Sequence, residues 1–152
     1  MARREIEGLT GVARDALRDM RAVTHDQHTA SLDRELAGAA ALLAAAGVQA
    51  QLDLDLPGLA AADEQVLAWA VREGVTNVLR HSQASACAIT AGRRNGSVWL
   101  EVVNDGVTSP AGDGSGLGGL AARARVLGGT VTAGPGTDGR FRLLVELLQD
   151  GT

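Results

Sequence analysis

Cysteine, aromatic side chains and an excess of either charge are all scarce in this sequence. A single cysteine, Cys87, excludes an internal disulfide and any metal site built from several thiolates, and makes a reducing compartment the natural setting. Tyrosine is absent, and Trp69, Trp99 and Phe141 are the only aromatic residues. The core must therefore come from Leu, Val and Ala, and the stacking platforms that single-stranded nucleic acid requires are missing. A net charge of −4 gives no basic footprint, so no nucleic-acid partner is expected. No apolar run approaches the ~20 residues that cross a bilayer, and no signal peptide opens the chain. The expected setting is the cytoplasm, with no membrane contact by this chain, although a longer parent protein could be anchored upstream.

What is present reads as one globular domain with an appended element: 152 residues, 45% hydrophobic and 21% charged. Residues 2–24 carry Ile6, Leu9, Ala13, Ala16, Leu17, Met20 and Val23 at helical spacing, a stripe that needs another helix or a second chain. The polar stretch 24–29 reads as a linker. Ser31 is placed to cap a second helix reaching about residue 46, which Gly47 ends. Leu52, Leu54 and Leu56 then alternate with Asp53 and Asp55, predicting a strand over 48–56 with one wet face. Asp63 and Glu64 open a further helix ending at His81. Strands are predicted at 86–91 and 98–104, joined by a turn at Asn95-Gly96. A glycine-rich stretch over 105–119, a short helix through residue 127, and strands at 130–133 and 141–148 complete the order. The pattern predicts an α/β, two-layer sandwich: a mixed sheet of about five strands with three helices on one face, plus the N-terminal helix. It is not the alternation of a Rossmann fold, because tight turns connect two pairs of strands.

Three segments carry chemistry. In 72–81, Glu73, Asn77 and His81 step by four along a helix, with Arg80 beside them and Leu67, Val71, Val75 and Val78 on another stripe. Hard oxygen donors with cationic neighbours suit a hydrated Mg²⁺ and its phosphates, although such a row alone also describes a solvated helix face. Next, an apolar strand ends in Asn104-Asp105-Gly106, where a carboxylate can accept from an exocyclic amine and a glycine admits a flat ring; the plain alternative is an Asp-Gly turn. Last, Gly112-Asp113-Gly114-Ser115-Gly116-Leu117-Gly118-Gly119-Leu120 leads into a helix whose N-terminus can receive phosphate. No Gly-Lys-Ser/Thr closes it, so it is not a P-loop.

In order and spacing the three segments together resemble the boxes of the GHKL ATPase superfamily, which includes histidine kinases, type II topoisomerases, MutL and heat-shock chaperones. Residues 72–82 resemble its N box, Asn104-Asp105-Gly106 its first glycine box and 114–120 its second. The texture is most similar to histidine kinases that partner NarL-type response regulators, the DesK-like group, and the likeness covers roughly 32–148. Asp15 to Arg21 resembles the second helix of that group's dimerisation and phosphoacceptor hairpin. The resemblance implies two parts: residues 1–29 as that helix and linker, and 30–152 as a catalytic ATP-binding domain. It implies ATP and Mg²⁺ as ligands, Asn77 as the magnesium ligand and Glu73 as the catalytic carboxylate. Arg80 and His81 would approach the phosphates, and Asp105 and Gly106 would receive the adenine. Gly114, Gly116 and Gly118 would form a lid anchored by Leu117 and Leu120.

The same resemblance implies, as partners, a phosphoacceptor histidine of the parent kinase, a NarL-type response regulator, and a homodimer through the N-terminal helix. The helix bearing the phosphoacceptor is absent from this chain, so autophosphorylation by the chain alone is not expected. His25-Asp26 has the look of a phosphoacceptor pair but follows the residues that resemble the second hairpin helix, so it is read as linker. Arg123 and Arg125 are read as solvated. The competing readings are an anti-sigma factor with serine kinase activity, from the same superfamily, and a nucleotide sensor without transfer activity.

Overall fold

The computed structural model describes residues 31–81, 83–106, 115–136 and 138–149. The expected N-terminal helix and linker, Ser82, and residues 107–114 lie outside them. The elements are α1 (Leu32–Ala45), β1 (Gln49–Leu54), α2 (Ala61–His81), β2 (Ala86–Arg94), β3 (Ser97–Asn104), α3 (Ser115–Val126), β4 (Thr130–Pro135) and β5 (Phe141–Leu148). Five strands form one mixed sheet in the order β1-β2-β3-β5-β4. The β1–β2 pair is parallel and the others are antiparallel. This is the expected two-layer α/β sandwich.

Local chemistry explains the boundaries. Ser31 has extended dihedrals and its side chain accepts from the Arg34 N–H, so it caps α1 as expected. Asn95 and Gly96 both take positive φ, 50° and 77°, which matches the twist of the β2–β3 hairpin. The Leu32 N–H, an unsatisfied donor at the start of α1, donates to Glu64 Oε1 at 3.0 Å, which ties the beginnings of α1 and α2 together.

One face of the sheet is apolar. Ile89, Ala91, Val98, Leu100, Val102, Leu143, Val145 and Leu147 are all buried, and α2 covers them with Leu67, Val71, Val75 and Val78. Each such side chain contributes roughly 1.5–3 kcal/mol on full burial. Helix and sheet meet closely at Gly74, where an added Cβ would lie 2.9 Å from a Val102 methyl carbon. That contact accounts for a glycine in a helix interior, where it is otherwise unfavourable. The expected one-sided burial of β1 holds only in part, since Leu52 is 40% exposed although Leu54 and Ala50 pack on the core. β1 is an edge strand, paired to β2 alone. None of the helices among the described residues is long and apolar enough to cross a membrane.

Candidate nucleotide site

The long helix α2 supplies one wall. Trp69, Glu73 and Asn77 fall at four-residue intervals on one face, and their exposure rises along it. Trp69 and Asn77 are half-buried, Glu73 is buried, and Arg80 beyond them is exposed. The His81 side chain lies outside the described residues. The helix is held rigidly behind this row. The Arg72 guanidinium forms an ion pair with Glu35 of α1, both side chains being buried, and the Thr76 hydroxyl donates to the Arg72 carbonyl at 2.8 Å.

The end of β3 supplies the floor. The connection from α2 into β2 folds back on it: the Gln83 N–H donates to the Gly106 carbonyl at 2.9 Å. Gly106 has a φ of 68°, and a Cβ there would collide with the Gln83 backbone, so both conformation and space require glycine. Asp105 fastens the same connection. Its Oδ1 accepts from the N–H groups of Ser85 (2.8 Å) and Ala86 (3.0 Å), and its Oδ2 accepts from the Ser85 hydroxyl at 2.7 Å. The Ser85 hydroxyl first, then the two N–H groups, hold its carboxyl below the usual range.

Asn104 lies on the other side of the strand end. Burial alternates along β3, so Asn104 shares the helix-covered face with Val98, Leu100 and Val102. The register sets it between Cys87 of β2 and Phe141 of β5. It is 4% exposed, and its Nδ2 donates to the Asp105 carbonyl at 2.8 Å. Burial first, and the Asp105 charge second, push the neighbouring Cys87 thiol up to about 11, which keeps it protonated at neutral pH.

The third wall is α3. Leu120 and Ala124 are fully buried and Leu117 packs against the core. Added Cβ atoms at Gly118 and Gly119 would meet nothing within 4 Å, so packing does not demand glycine at either position. Gly114 lies outside the described residues, as does the side-chain environment at position 116. Arg123 is not simply solvated as expected: its guanidinium lies 4.2 Å from the Trp69 ring centroid, with Arg72 at 5.5 Å. This contact links the helix after the glycine-rich stretch to the face carrying Glu73 and Asn77.

The structure thus gathers the expected α2 row, Gly106 and the Leu117–Leu120 anchor around one end of the sheet, and engages Asp105 within the protein. Three contributors escaped the sequence reading. Asn104 could have been found from its place in the period-two burial of β3, and Trp69 from its position one turn before Glu73. Glu35, the buried partner of Arg72, had no local signal. Among the described residues no group of three His, Cys, Asp or Glu converges as a metal site. A separate hollow of about 270 Å³ on the opposite sheet face, lined by Arg94, Trp99, Glu101, Leu144 and Glu146, includes none of these groups.

No family model matches the chain. It is 27% identical over 124 residues to the sensor histidine kinase YvfT of Bacillus subtilis, a match covering 79% of this chain and 33% of that protein. The chain therefore spans about a third of that curated relative. Among solved structures it resembles the Acinetobacter baumannii histidine kinase AdeS, with a TM-score of 0.64 and 15% identity over 90% of this chain and 77% of that one. It also resembles full-length ShkA in complex with AMPPNP, with a TM-score of 0.60 and 20% identity over 82% of this chain and 32% of that one. These likenesses establish the fold as the α/β sandwich of histidine kinases, and the sequence relative is itself a sensor histidine kinase.

Proposed function

We propose that this chain is the catalytic ATP-binding domain of a sensor histidine kinase, transferring the γ-phosphoryl group of ATP to a histidine elsewhere in its parent protein. We place it with the kinases whose partners are NarL-type response regulators, and assign residues 1–29 to the dimerisation hairpin and linker. The observation that carries the reading is the α2 row, in which Glu73 and Asn77 stand one turn apart beside a glycine-bordered strand end. The kinase relative and the AMPPNP complex named for ShkA support an adenine nucleotide as the ligand.

The donor set fits magnesium. A neutral amide oxygen at half-buried Asn77, with a carboxylate one turn earlier, suits a cation that keeps several waters and takes its other ligands from phosphate. Asn77 would hold the ion, which when bound neutralises the charge developing on the phosphate oxygens. Phosphoryl transfer depends mainly on positioning and charge stabilisation, and the residues divide that work. Glu73 accepts a hydrogen bond from the incoming imidazole and so orients the nucleophile. Arg80 and His81 attract the phosphates from the exposed end of α2. Gly118, with Gly114 and Gly116, lets backbone approach the triphosphate, while Leu117 and Leu120 anchor that segment to the core.

Calorimetric titration of the chain with AMPPNP, in Mg²⁺ and then in EDTA, tests this. Magnesium-dependent binding is expected, and Asn77→Ala should weaken it by at least tenfold, about 1.4 kcal/mol. A folded, unmodified chain that binds no adenine nucleotide would refute the reading.

A further inference from the structure

The end of β3 holds a buried acceptor that the protein does not supply with a donor. Asn104 is 4% exposed, and its one hydrogen bond runs from Nδ2 to the Asp105 carbonyl. That bond fixes which end of the amide is which, because only the nitrogen can donate to a carbonyl. Among the described residues nothing donates to Oδ1. A buried amide oxygen without a donor is unfavourable, so it marks a place where a donor from outside would be accommodated.

Its position suits a ligand of the α2 row. Val102, two residues earlier on the same face, touches α2 at Gly74. From there α2 continues through Asn77 to His81, and the chain re-enters the sheet at Ala86, one residue before the register partner of Asn104. Asn104 and Asn77 therefore lie toward the same end of the sandwich. Phe141, directly across from Asn104 on β5 and only partly buried, gives that spot an apolar flank. Asp105 is placed differently. Both its oxygens are taken by Ser85 and Ala86, three donors that belong to the protein itself.

We infer that Asn104, rather than Asp105, reads the base of the nucleotide, with Oδ1 accepting from the exocyclic amine of a 6-aminopurine while Asp105 pins the strand end in place. This rests on the nucleotide-binding reading above and specifies its base contact. The chemistry sets the degree of selectivity. A 6-oxopurine would bring a carbonyl oxygen against Oδ1. Accommodating it requires the amide to turn over and give up its bond to the Asp105 carbonyl. A neutral amide therefore favours the amine, and less strongly than a carboxylate would.

The test compares ATP with inosine triphosphate, which carries oxygen in place of the amine, by calorimetry in Mg²⁺. The unmodified chain should prefer ATP by on the order of tenfold. Asn104→Leu should bring the preference close to unity by weakening ATP alone. Asn104→Ser, a smaller change whose hydroxyl is too short to reach the base, should do the same if the leucine variant folds poorly. Asp105→Asn should lower the melting temperature and keep the preference. A preference that survives both Asn104 variants but disappears in Asp105→Asn overturns the assignment. Equal binding of both nucleotides by the unmodified chain also overturns it while leaving the nucleotide-binding reading intact; binding of neither removes both.

Discussion

The two helices that border the candidate site are held in unlike ways. α2 is fixed on every side that does not face the site: Leu67, Ala70 and Val71 are fully buried, Gly74 touches Val102, and the Arg72–Glu35 pair locks it to α1. α3 reaches the core through Leu120 and Ala124, with Leu117 partly buried, while Val126 near its end is 83% exposed. Its remaining tie is the Arg123 guanidinium over Trp69. Free energies of local opening follow the density of buried contacts, so the wall carrying Glu73 and Asn77 is preset and the glycine-bearing wall is the one that can adjust. This division suits phosphoryl transfer, where the acceptor side must be positioned in advance and the other side must admit and release a nucleotide.

The comparison breaks most sharply at the buried pair. Arg72→Met leaves the Glu35 carboxylate buried opposite a thioether, and the expected loss is about 3–5 kcal/mol, read as a lower urea midpoint. Adding Glu35→Leu should recover most of that loss, because a paired apolar replacement removes the unpaired charge. A single-variant loss below ~1 kcal/mol would mean that α2 does not depend on the pair.

A smaller effect is expected at the pin on the connection leaving α2. The Asp105 carboxyl is lowered in the folded chain, chiefly by the Ser85 hydroxyl. A lowered folded value contributes stability that is fully present above the unfolded value, about 3.9, and is lost as pH falls below it toward the folded one. Ser85→Ala removes the largest cause. The variant should therefore lose less stability than the unmodified chain between pH 4 and lower values, in urea denaturation at stepped pH. Identical acid slopes would show that the hydroxyl does not set the titration.

The smallest effect is expected on the other wall. Arg123→Ala should cost roughly 0.5–1 kcal/mol of stability, as an exposed cation–π contact does. In a Trp99→Phe background, where Trp69 is the only indole, it should also shift the fluorescence of the folded chain. An unchanged spectrum would remove the link between α3 and α2.

Much of this was legible from the sequence, and for physical reasons. The β5 range matches because hydrophobic alternation and flanking glycines are local signals, and the cap at Ser31 and turn at Asn95-Gly96 follow from side chains acting within a few residues. The row on α2 was legible because helical period alone puts Glu73 and Asn77 on one face. What depended on distant partners was not. Nothing near Glu35 announces that Arg72 lies beside it, and nothing local to Arg123 announces Trp69. The difference between Asn104 and Asp105 is of the same kind, since only the folded return of Ser85 and Ala86 decides which side chain is engaged.

The position of Phe141 has a bearing on how such a domain can vary. Asn104 and Phe141 are register partners on neighbouring strands, so the whole excursion over 105–140 leaves the sheet and returns to it at adjacent points. Its length is therefore decoupled from the sheet geometry: residues can be inserted or deleted within 107–114 without shifting a strand pair. Doubling a flexible loop adds only ~0.6 kcal/mol of closure entropy. The fold can thus be fitted with a longer or shorter cover over the same fixed wall, a modular freedom open to circular permutation and domain insertion as well as to natural drift.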